Sequence, residues 1–400
     1  MKWEYKTLDQ LGTVSRGKSK HRPRNDPKLF GGKYPFIQTA DVKNADYYIT
    51  KYSDTYNESG LAQSKLWDKG TLCITIAANI ADTGVLAFPA CFPDSIMGFV
   101  PFEGVANTRF IKYCFDRLQR DCKQISQGTA QDNLSWEKLS TIKFCIPEYK
   151  EQCRIADILS AYDDLIENNQ KQIKLLEEAA QRLYKEWFVN LRFPGHENTE
   201  IVDGVPEGWN ECTVESFGTV ITGKTPPTSN KEYYTNGKVP FVTIPDMHNV
   251  IYPLKTEKRL TIEGAQTQKN KYIPPNSVMI SCIGTVGLVS IATEVCQTNQ
   301  QINSIILNNE DDLYFFYESM LRMKDLLDGL GSNGATMTNV NKSKLEKLII
   351  ISPSKDIVKQ YNDVCKPLFE SALNLSRKNV YLKNMREALL PKLMSGEVEV

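Results

Sequence analysis

The feature of this sequence that most restricts its fold is an uninterrupted heptad pattern from Glu151 to Phe188. Its seam positions are spaced by alternating steps of four and three: Ile155, Leu159, Tyr162, Ile166, Asn169, Ile173, Leu176, Ala180, Leu183 and Trp187. Such spacing predicts a helix that packs along another helix. Roughly 38 residues at 1.5 Å each give a rod of about 57 Å, which needs a partner of similar length. We expect the polar Asn169 to lower stability and help fix the register.

A second heptad pattern, from about Lys355 to Met394, supplies this partner within the same chain. Its predicted seam is Ile357, Tyr361, Val364, Leu368, Leu375, Leu382, Met385 and Leu389. Pro367 departs from the pattern and is expected to kink the helix or break its hydrogen bonding locally. We therefore predict two long helices packed as an antiparallel coiled coil. The alternative is a pair of ordinary helical linkers between separate domains.

Each long helix ends one of two copies of the same sequence unit. A shift of about 206 residues places Trp3 on Trp209 and Leu176 on Leu382. The shift also aligns GTVSRGK from Gly12 with GTVITGK from Gly218, KYPFIQTAD from Lys33 with KVPFVTIPD from Lys238 (one residue off), and residues 128–147 with 334–353. The sequence thus predicts an α+β fold in which two pseudo-repeated mixed α/β domains are joined by the two long helices.

The repeat sets the predicted domain boundaries. These are a first domain at 1–150, a central helix at 151–192, a linker and second domain at 193–353, and a C-terminal helix at 354–400. Within the domains, strands are expected at 35–39, 71–77, 84–88, 240–244, 277–283, 288–292 and 302–307, and helices near 107–125 and 312–327.

Composition limits the compartment and the classes of site. The formal net charge is zero, so charge gives no global argument for nucleic acid, although a local basic patch is allowed. The 10 cysteines include no C-x-x-C pair, and with 3 histidines no zinc-ligand spacing is present. Dispersed thiols and a polar start predict a cytoplasmic protein. The apolar stretch at 73–92 contains Asn79, Asp82 and Pro89, which favours core strands over a membrane span.

Both repeats match the P-loop pattern G-x-x-x-x-G-K-[ST], at 12–19 and 218–225. A P-loop needs a helix that starts at the lysine, because the helix N-terminus holds the phosphate. Pro226 and Pro227 follow the second match, and KHRPR follows the first. We therefore interpret both matches as a turn with an exposed loop, and keep a tandem P-loop nucleotide-binding protein as an alternative.

The loop in the first repeat is strongly basic. Its cations lie within nine residues with no acid among them: Arg16, Lys18, Lys20, His21, Arg22 and Arg24. Lysine and arginine suit phosphate contacts, and arginine also bonds guanine bidentately, although a solvated basic loop is the alternative. The second repeat has Lys224 and Thr225 there, and its polar run QTNQQIN includes Asn299 and Gln300, residue types that bond adenine edges or cap a strand end.

Motifs for chemistry are missing from the sequence. We find no Ser-His-Asp set, no metal cluster, and no Asn/Asp-Pro-Pro-aromatic motif of the kind that amino-methyltransferases use. We therefore expect that this chain performs no catalysis itself. A coiled-coil scaffold that joins two protein-binding domains remains a further alternative.

With this organisation, nearly the whole chain resembles a specificity subunit of a type I restriction–modification enzyme. The resemblance rests on Pro206-x-Gly208-Trp209, the Gly-Lys-Thr-Pro loop at 223–226, Asn299-Gln300, GATMTNV at 334–340, EQxRI at 151–155 and MREALLPKLMSGEVEV from Met385. The first repeat departs from the pattern, because Trp3 has no preceding Pro-x-Gly and Asp94 stands near the place of Asn299-Gln300.

The resemblance implies two target-recognition domains, each of which reads half of a split, asymmetric site in double-stranded DNA. The helices would set the spacer between the halves and dock two adenine-methyltransferase subunits. The resemblance also implies restriction (translocase) subunits, with S-adenosylmethionine, ATP and Mg²⁺ bound by those partners and no cofactor in this chain.

Overall fold

The computed structural model describes residues 3–76, 82–125, 136–331 and 339–400. Two stretches that support the sequence repeat, 128–135 and 334–338, lie outside these ranges, and so does most of the GATMTNV segment. The chain divides into two compact units. Unit 1 comprises 1–166 and 382–400, and unit 2 comprises 167–381. Each unit therefore combines one mixed domain with a piece of both long helices.

Unit 1 is built around a five-stranded sheet. The strands of unit 1, five of which form this sheet, are β1 (Glu4–Lys6), β2 (Gly12–Arg16), β3 (Phe30–Phe36), β4 (Tyr48–Ile49), β5 (Asp54–Tyr56), β6 (Leu72–Thr75), β7 (Thr83–Leu86), β8 (Ile96–Pro101) and β9 (Phe144–Ile146). Its helices before the first long helix are α1 (Leu8–Leu11), α2 (Thr39–Lys43), α3 (Glu58–Ala62), α4 (Thr108–Ile125) and α5 (Trp136–Thr141). The main sheet has the order β2-β8-β6-β7-β4, and β1-β9 and β3-β5 form two further pairs. The first long helix, α6 (Tyr149–Tyr184), follows β9.

Unit 2 repeats this plan. Its strands are β10 (Ile201–Val202), β11 (Val205–Pro206), β12 (Asn210–Thr213), β13 (Gly218–Thr222), β14 (Val239–Val242), β15 (Lys258–Leu260), β16 (Val278–Ser281), β17 (Val289–Ile291), β18 (Gln297–Thr298), β19 (Ile302–Leu307) and β20 (Ile349–Ser352). Its helices are α7 (Val214–Phe217), α8 (Ile244–Met247), α9 (Ile262–Gln266), α10 (Leu313–Arg322), α11 (Lys324–Gly331), α12 (Lys342–Glu346) and the second long helix α13 (Lys355–Met394). The sheets have the orders β13-β19-β16-β17, β15-β14-β18 and β12-β20, with a β10-β11 hairpin before them.

Strand registers establish the duplication residue by residue. In unit 1, β2 pairs with β8 antiparallel from Gly12↔Pro101. In unit 2, β13 pairs with β19 antiparallel from Gly218↔Leu307, which is the same pairing moved by the sequence shift. The pairs β1-β9 and β12-β20 agree in the same way. The prediction of two pseudo-repeated mixed α/β domains is confirmed, and the strands begin or end within a few residues of the expected positions.

The long helices run antiparallel to each other within each unit. In unit 1, Asp163 of α6 contacts Arg386 of α13, whereas Arg154 reaches the carbonyl of Val400. In unit 2, the Asn169 amide donates to Asn379 at 2.7 Å, and Tyr361 bonds the carbonyl of Ala180. Residue numbers rise along one helix in the direction in which they fall along the other, as an antiparallel coiled coil requires.

Burial along α6 follows the predicted seam. Ile155, Leu159, Ile166 and Asn169 are buried, and Tyr162, Ile173, Leu176 and Leu183 are half-buried. Along α13, Tyr361 and Leu382 are buried, and Leu368, Leu375 and Leu389 are half-buried.

The prediction for Val364 is wrong, because its side chain is 49% exposed and Cys365 is buried instead. Met385 is likewise exposed, and the neighbouring Arg386 lies at the inward position instead. The inward positions that repeat every seven residues are Val358, Cys365, Ala372, Asn379, Arg386 and Leu393. Pro367 is exposed, and α13 continues through it, so the proline does not end the helix.

Candidate nucleic-acid interface

The two Gly-Lys loops occupy equivalent places, directly after the first strand of each main sheet. In unit 1 the amide of Gly17 donates to the carbonyl of Ile96 (2.8 Å), and the amide of Lys18 donates to that of Phe92 (3.0 Å). These bonds hold the loop after β2 against the turn that precedes β8. The turn, residues 93–95, and the loop therefore form one surface.

Unit 2 makes the same two bonds at residues about 206 positions later. The amide of Gly223 donates to the carbonyl of Ile302 (3.0 Å), and the amide of Lys224 donates to that of Thr298 (3.0 Å). The loop after β13 thus lies against the turn at 299–301. We call each loop with its turn a Gly-Lys platform: 16–24 with 93–95 in unit 1, and 222–225 with 299–301 in unit 2.

Close backbone contact explains the glycine in each platform. A Cβ on Gly17 would lie 2.3 Å from the carbonyl oxygens of Phe92 and Pro93. A Cβ on Gly223 would lie 2.2 Å from the carbonyl oxygen of Asn299. A side chain at either position would force the loop off its turn, because neither backbone oxygen can move away independently.

The lysine that follows each glycine is exposed, as are Arg16 and Lys20 in the first platform. Within the described ranges, none of these four cations forms an ion pair. The side chain of Gln63 holds the loop of the first platform in place, because its Oε1 accepts hydrogen bonds from the backbone amides of Lys20 and His21 (2.6 and 3.0 Å). The His21 ring contacts Asp26 at 3.0 Å, and the hydrogen bonds of Asp26 to Lys28 and His21 lower the pKa of its carboxyl.

Two of the predicted DNA-binding arginines are neutralised by an acid that is distant in sequence. Arg24 donates a hydrogen bond to Oδ2 of Asp94 at 2.8 Å, and the same nitrogen lies 2.7 Å from Oδ1 in an ion pair. Arg22 lies 4.0 Å from the same carboxylate and donates to the carbonyls of Ser19 and His21. The first platform is therefore less positive than its sequence suggests, and Asp94 occupies its turn.

In the second platform the hydroxyl of Thr225 donates to Oε1 of Gln300 at 2.6 Å, and Gln300 is exposed. Asn299 is only 9% exposed. The side-chain nitrogen of Asn299 donates to Oε1 of Gln301 (3.0 Å), and its side-chain oxygen accepts a hydrogen bond from the backbone N–H of Gln301 (3.1 Å). Asn299 therefore supports the turn from within, whereas Gln300 presents its side chain outward.

Neither platform has the geometry of a nucleotide-binding P-loop. The residues of each pattern up to Arg16 and Thr222 form a β-strand, and the next helical turns begin only at Pro27 and Lys231. A helix N-terminus is thus not next to either lysine. Among the described residues, no group of three or more His, Cys, Asp or Glu is placed to hold a metal ion. No helix in the described ranges is long and apolar enough to cross a membrane.

Polar groups that the sequence patterns did not predict are buried where each domain packs on its helices. In unit 1, Tyr113 of α4 donates to Asp163 at 2.5 Å, and Arg386 binds the other oxygen of that carboxylate. Burial raises the pKa of Asp163, and the guanidinium of Arg386 opposes the rise. In unit 2, burial raises the pKa of Glu318 on α10 to about 8. The only sequence signal for these residues was a charge on the apolar face of a helix.

Comparison with known proteins agrees with this architecture. The family model "Type I restriction modification DNA specificity domain" matches residues 1–178 and 206–380, which are the two repeats. The HindI type I restriction enzyme specificity subunit of Haemophilus influenzae is 34% identical over 326 residues, covering 66% of this chain and 71% of that protein. The MjaIX specificity subunit of Methanocaldococcus jannaschii is 28% identical over 416 residues, covering 100% of this chain and 94% of that protein.

Among solved structures, the type I restriction–modification S subunit from M. genitalium matches with a TM-score of 0.57 at 16% identity. The match covers 98% of this chain and 96% of that one. At this identity the likeness supports the fold alone.

Proposed function

Because this chain belongs to the DNA specificity subunits of type I restriction–modification systems, we propose that each of its repeats reads one half of a split, asymmetric DNA site. The observation that carries the proposal is the Gly-Lys platform, which occurs in both units on the same backbone bonds. The side chains beside the shared lysine differ between the two platforms. Two similar domains with different exposed groups are suited to reading two different sequences.

The proposed DNA contacts come from the platforms. In the first they are Arg16, Lys18, Lys20, Arg22 and Arg24, and in the second Lys224, Thr225 and Gln300, with Asn299 supporting the turn from within. Exposed lysine and arginine neutralise phosphates, so binding should weaken as salt rises. The chain has zero net charge, and we therefore expect weak binding by the chain alone, with partner subunits adding phosphate contacts.

We assign the first recognition domain to 1–150, a linker with the second recognition domain to 193–353, and the spacer helices to 151–192 and 354–400. The antiparallel packing of α6 on α13 within each unit supports a fixed separation between half-sites. Inserting four residues, about one helical turn, near Lys171 should lengthen the unread gap in the DNA site. An unchanged gap would contradict the role of the helices as a spacer.

We also propose that two adenine-methyltransferase subunits dock on the long helices. Apolar side chains are exposed there, including Ile158, Leu165 and Leu175 of α6 and Tyr381 of α13. Exposed apolar groups of this kind favour a protein contact. Restriction subunits would complete the complex. S-adenosylmethionine, ATP and Mg²⁺ would bind those partners rather than this chain, which acts in the cytoplasm and performs no catalysis itself.

The test is to co-express the full chain with its methyltransferase subunits and to map N6-methyladenine in the host DNA. We expect one split motif, methylated on both strands, that is absent when the chain is omitted. A stable complex that produces no new methylated motif would refute the proposal and favour a scaffold that does not bind DNA.

A further inference from the structure

The duplication lets the chain serve as its own comparison. A group that is identical at equivalent places in two domains with different targets cannot carry the difference between those targets. A group that differs there can. We propose that Lys18 and Lys224 contact DNA phosphates, and that the equivalent positions 94 and 300 determine which bases each domain reads. This inference rests on the proposed function, and it separates the residues that bind phosphate from those that read bases in each domain.

The equivalence of positions 94 and 300 is structural. Each is the second residue of the turn that receives the Gly-Lys loop, and the backbone bonds on both sides of the turn are matched. The strand before each turn is also matched: Phe36 bridges Cys91 in parallel, and Phe241 pairs with Gln297 in parallel. Asp94 and Gln300 therefore stand at the same point of the same scaffold.

The shared lysines have the properties of phosphate ligands. Lys18 and Lys224 are exposed, and backbone bonds fix the amides of both residues. A lysine is a flexible point charge with no acceptor, which suits a phosphate better than the patterned edge of a base. Because the same residue recurs in both domains, its contribution should not depend on the DNA sequence.

Gln300 has the chemistry of an adenine reader. Its side chain is exposed, and the Thr225 hydroxyl bond to Oε1 restricts the amide orientation. A carbonyl oxygen has two lone pairs, so Oε1 retains one acceptor site beside the two donors of the amide nitrogen. A glutamine presented in this way matches the N6 and N7 groups of adenine.

Position 94 offers different chemistry. The Asp94 carboxylate alone would repel the DNA backbone, but the guanidinium of Arg24 contacts both carboxylate oxygens and neutralises the charge. Arginine has five N–H donors, so Arg24 keeps donors beyond those that bind Asp94. An arginine held by a carboxylate is suited to the O6 and N7 acceptors of guanine. We therefore assign guanine reading to the Arg24–Asp94 pair and adenine reading to Gln300.

The test measures DNA binding by the full chain in complex with its methyltransferase subunits. One duplex carries the methylated motif, and a second has one half-site scrambled. Lys18→Ala and Lys224→Ala should each weaken binding to both duplexes by the same factor and reduce the salt slope by about one. The matched controls are Lys69→Ala and Lys347→Ala, which remove exposed lysines outside the platforms and should leave the slope unchanged.

Gln300→Ala should weaken binding to the intact motif by about five- to 150-fold while changing affinity for the duplex scrambled in that half much less. Gln266→Ala, which removes an exposed glutamine of α9, is its control. Asp94→Ala should reduce discrimination in the other half-site alone.

The inference is wrong if Gln300→Ala lowers affinity for both duplexes equally, or if either lysine variant changes the preferred bases. A wild-type complex that does not distinguish the two duplexes would instead refute the proposed function itself. The two failures are therefore distinguishable in one experiment.

Discussion

Replacing Arg386 by alanine should unfold unit 1 far more readily than replacing other arginines of that unit. The Asp163 side chain is 2% exposed and the Arg386 side chain 18% exposed. Without the guanidinium, the Asp163 carboxylate stays buried and, among the described residues, keeps only the hydrogen bond from the hydroxyl of Tyr113, a residue of α4. Breaking one side of a buried ion pair costs about 3–5 kcal/mol.

Unit 2 supplies the compensating variant. The positions equivalent to Asp163 and Arg386 are Phe369 and Ala180, and both are buried in the core of unit 2. The double variant Asp163→Phe/Arg386→Ala transfers this apolar pair to unit 1. Because a well-packed apolar pair often equals or exceeds a buried ion pair in stability, the double variant should recover most of the loss.

Hydrogen exchange measured by mass spectrometry can follow unit 1 separately through peptides of α4 and the end of α13. For Arg386→Ala, slow amides there should exchange roughly 150- to 5,000-fold faster, which is 3–5 kcal/mol as a rate ratio. Arg154→Ala is the control, because its side chain is 64% exposed. The reasoning is refuted if the two single variants behave alike, or if the double variant is as unstable as Arg386→Ala.

Three further predictions concern unit 2. Asn169→Leu should lower the unfolding temperature, since it removes the hydrogen bond to Asn379 and places leucine beside a buried amide at a cost of about 1–3 kcal/mol. Asn169→Leu/Asn379→Leu should then exceed wild type, and a double variant below the single would contradict this. Between pH 4.5 and about 8, folded Glu318 holds its proton more tightly than in the unfolded chain, so stability should fall as pH rises through this range. Glu318→Gln should match wild type in urea unfolding at pH 5 and exceed it by roughly 2–5 kcal/mol at pH 9, whereas parallel pH profiles would exclude this role. Gly223→Ala should abolish half-site recognition because its Cβ meets the backbone at 2.2 Å, whereas Gly329→Ala, with open space around it, should not.

The sequence predicted the duplication and the first long helix well, because both depend on local spacing. Every seam position of α6 is apolar or a single asparagine, so the four–three alternation leaves no choice of face. On α13 the inward positions include small or polar residues such as Cys365, Asn379 and Arg386. Apolarity therefore favoured the neighbouring Val364 and Met385, and these two of the eight predicted seam positions were misplaced by one residue.

The platforms could be only partly predicted. The Gly-Lys repeats were visible in the sequence, and so was the basic loop. The Arg24–Asp94 pair joins residues that are 70 positions apart, so no local pattern reveals it. The sequence likewise treated Asn299 and Gln300 as one pair, whereas the turn directs the first inward and the second outward. Contacts across loops depend on tertiary geometry that periodicity does not contain.

The claim that each repeat reads one half-site is tested most directly by exchanging residues 1–150 with the corresponding residues of a relative that has a different target. The hybrid would be co-expressed with the methyltransferase subunits, and its methylated motif would be mapped in host DNA. The account predicts that one half of the motif changes, while the other half and the gap between them stay as in the parent. A motif in which both halves change, or neither does, would contradict it.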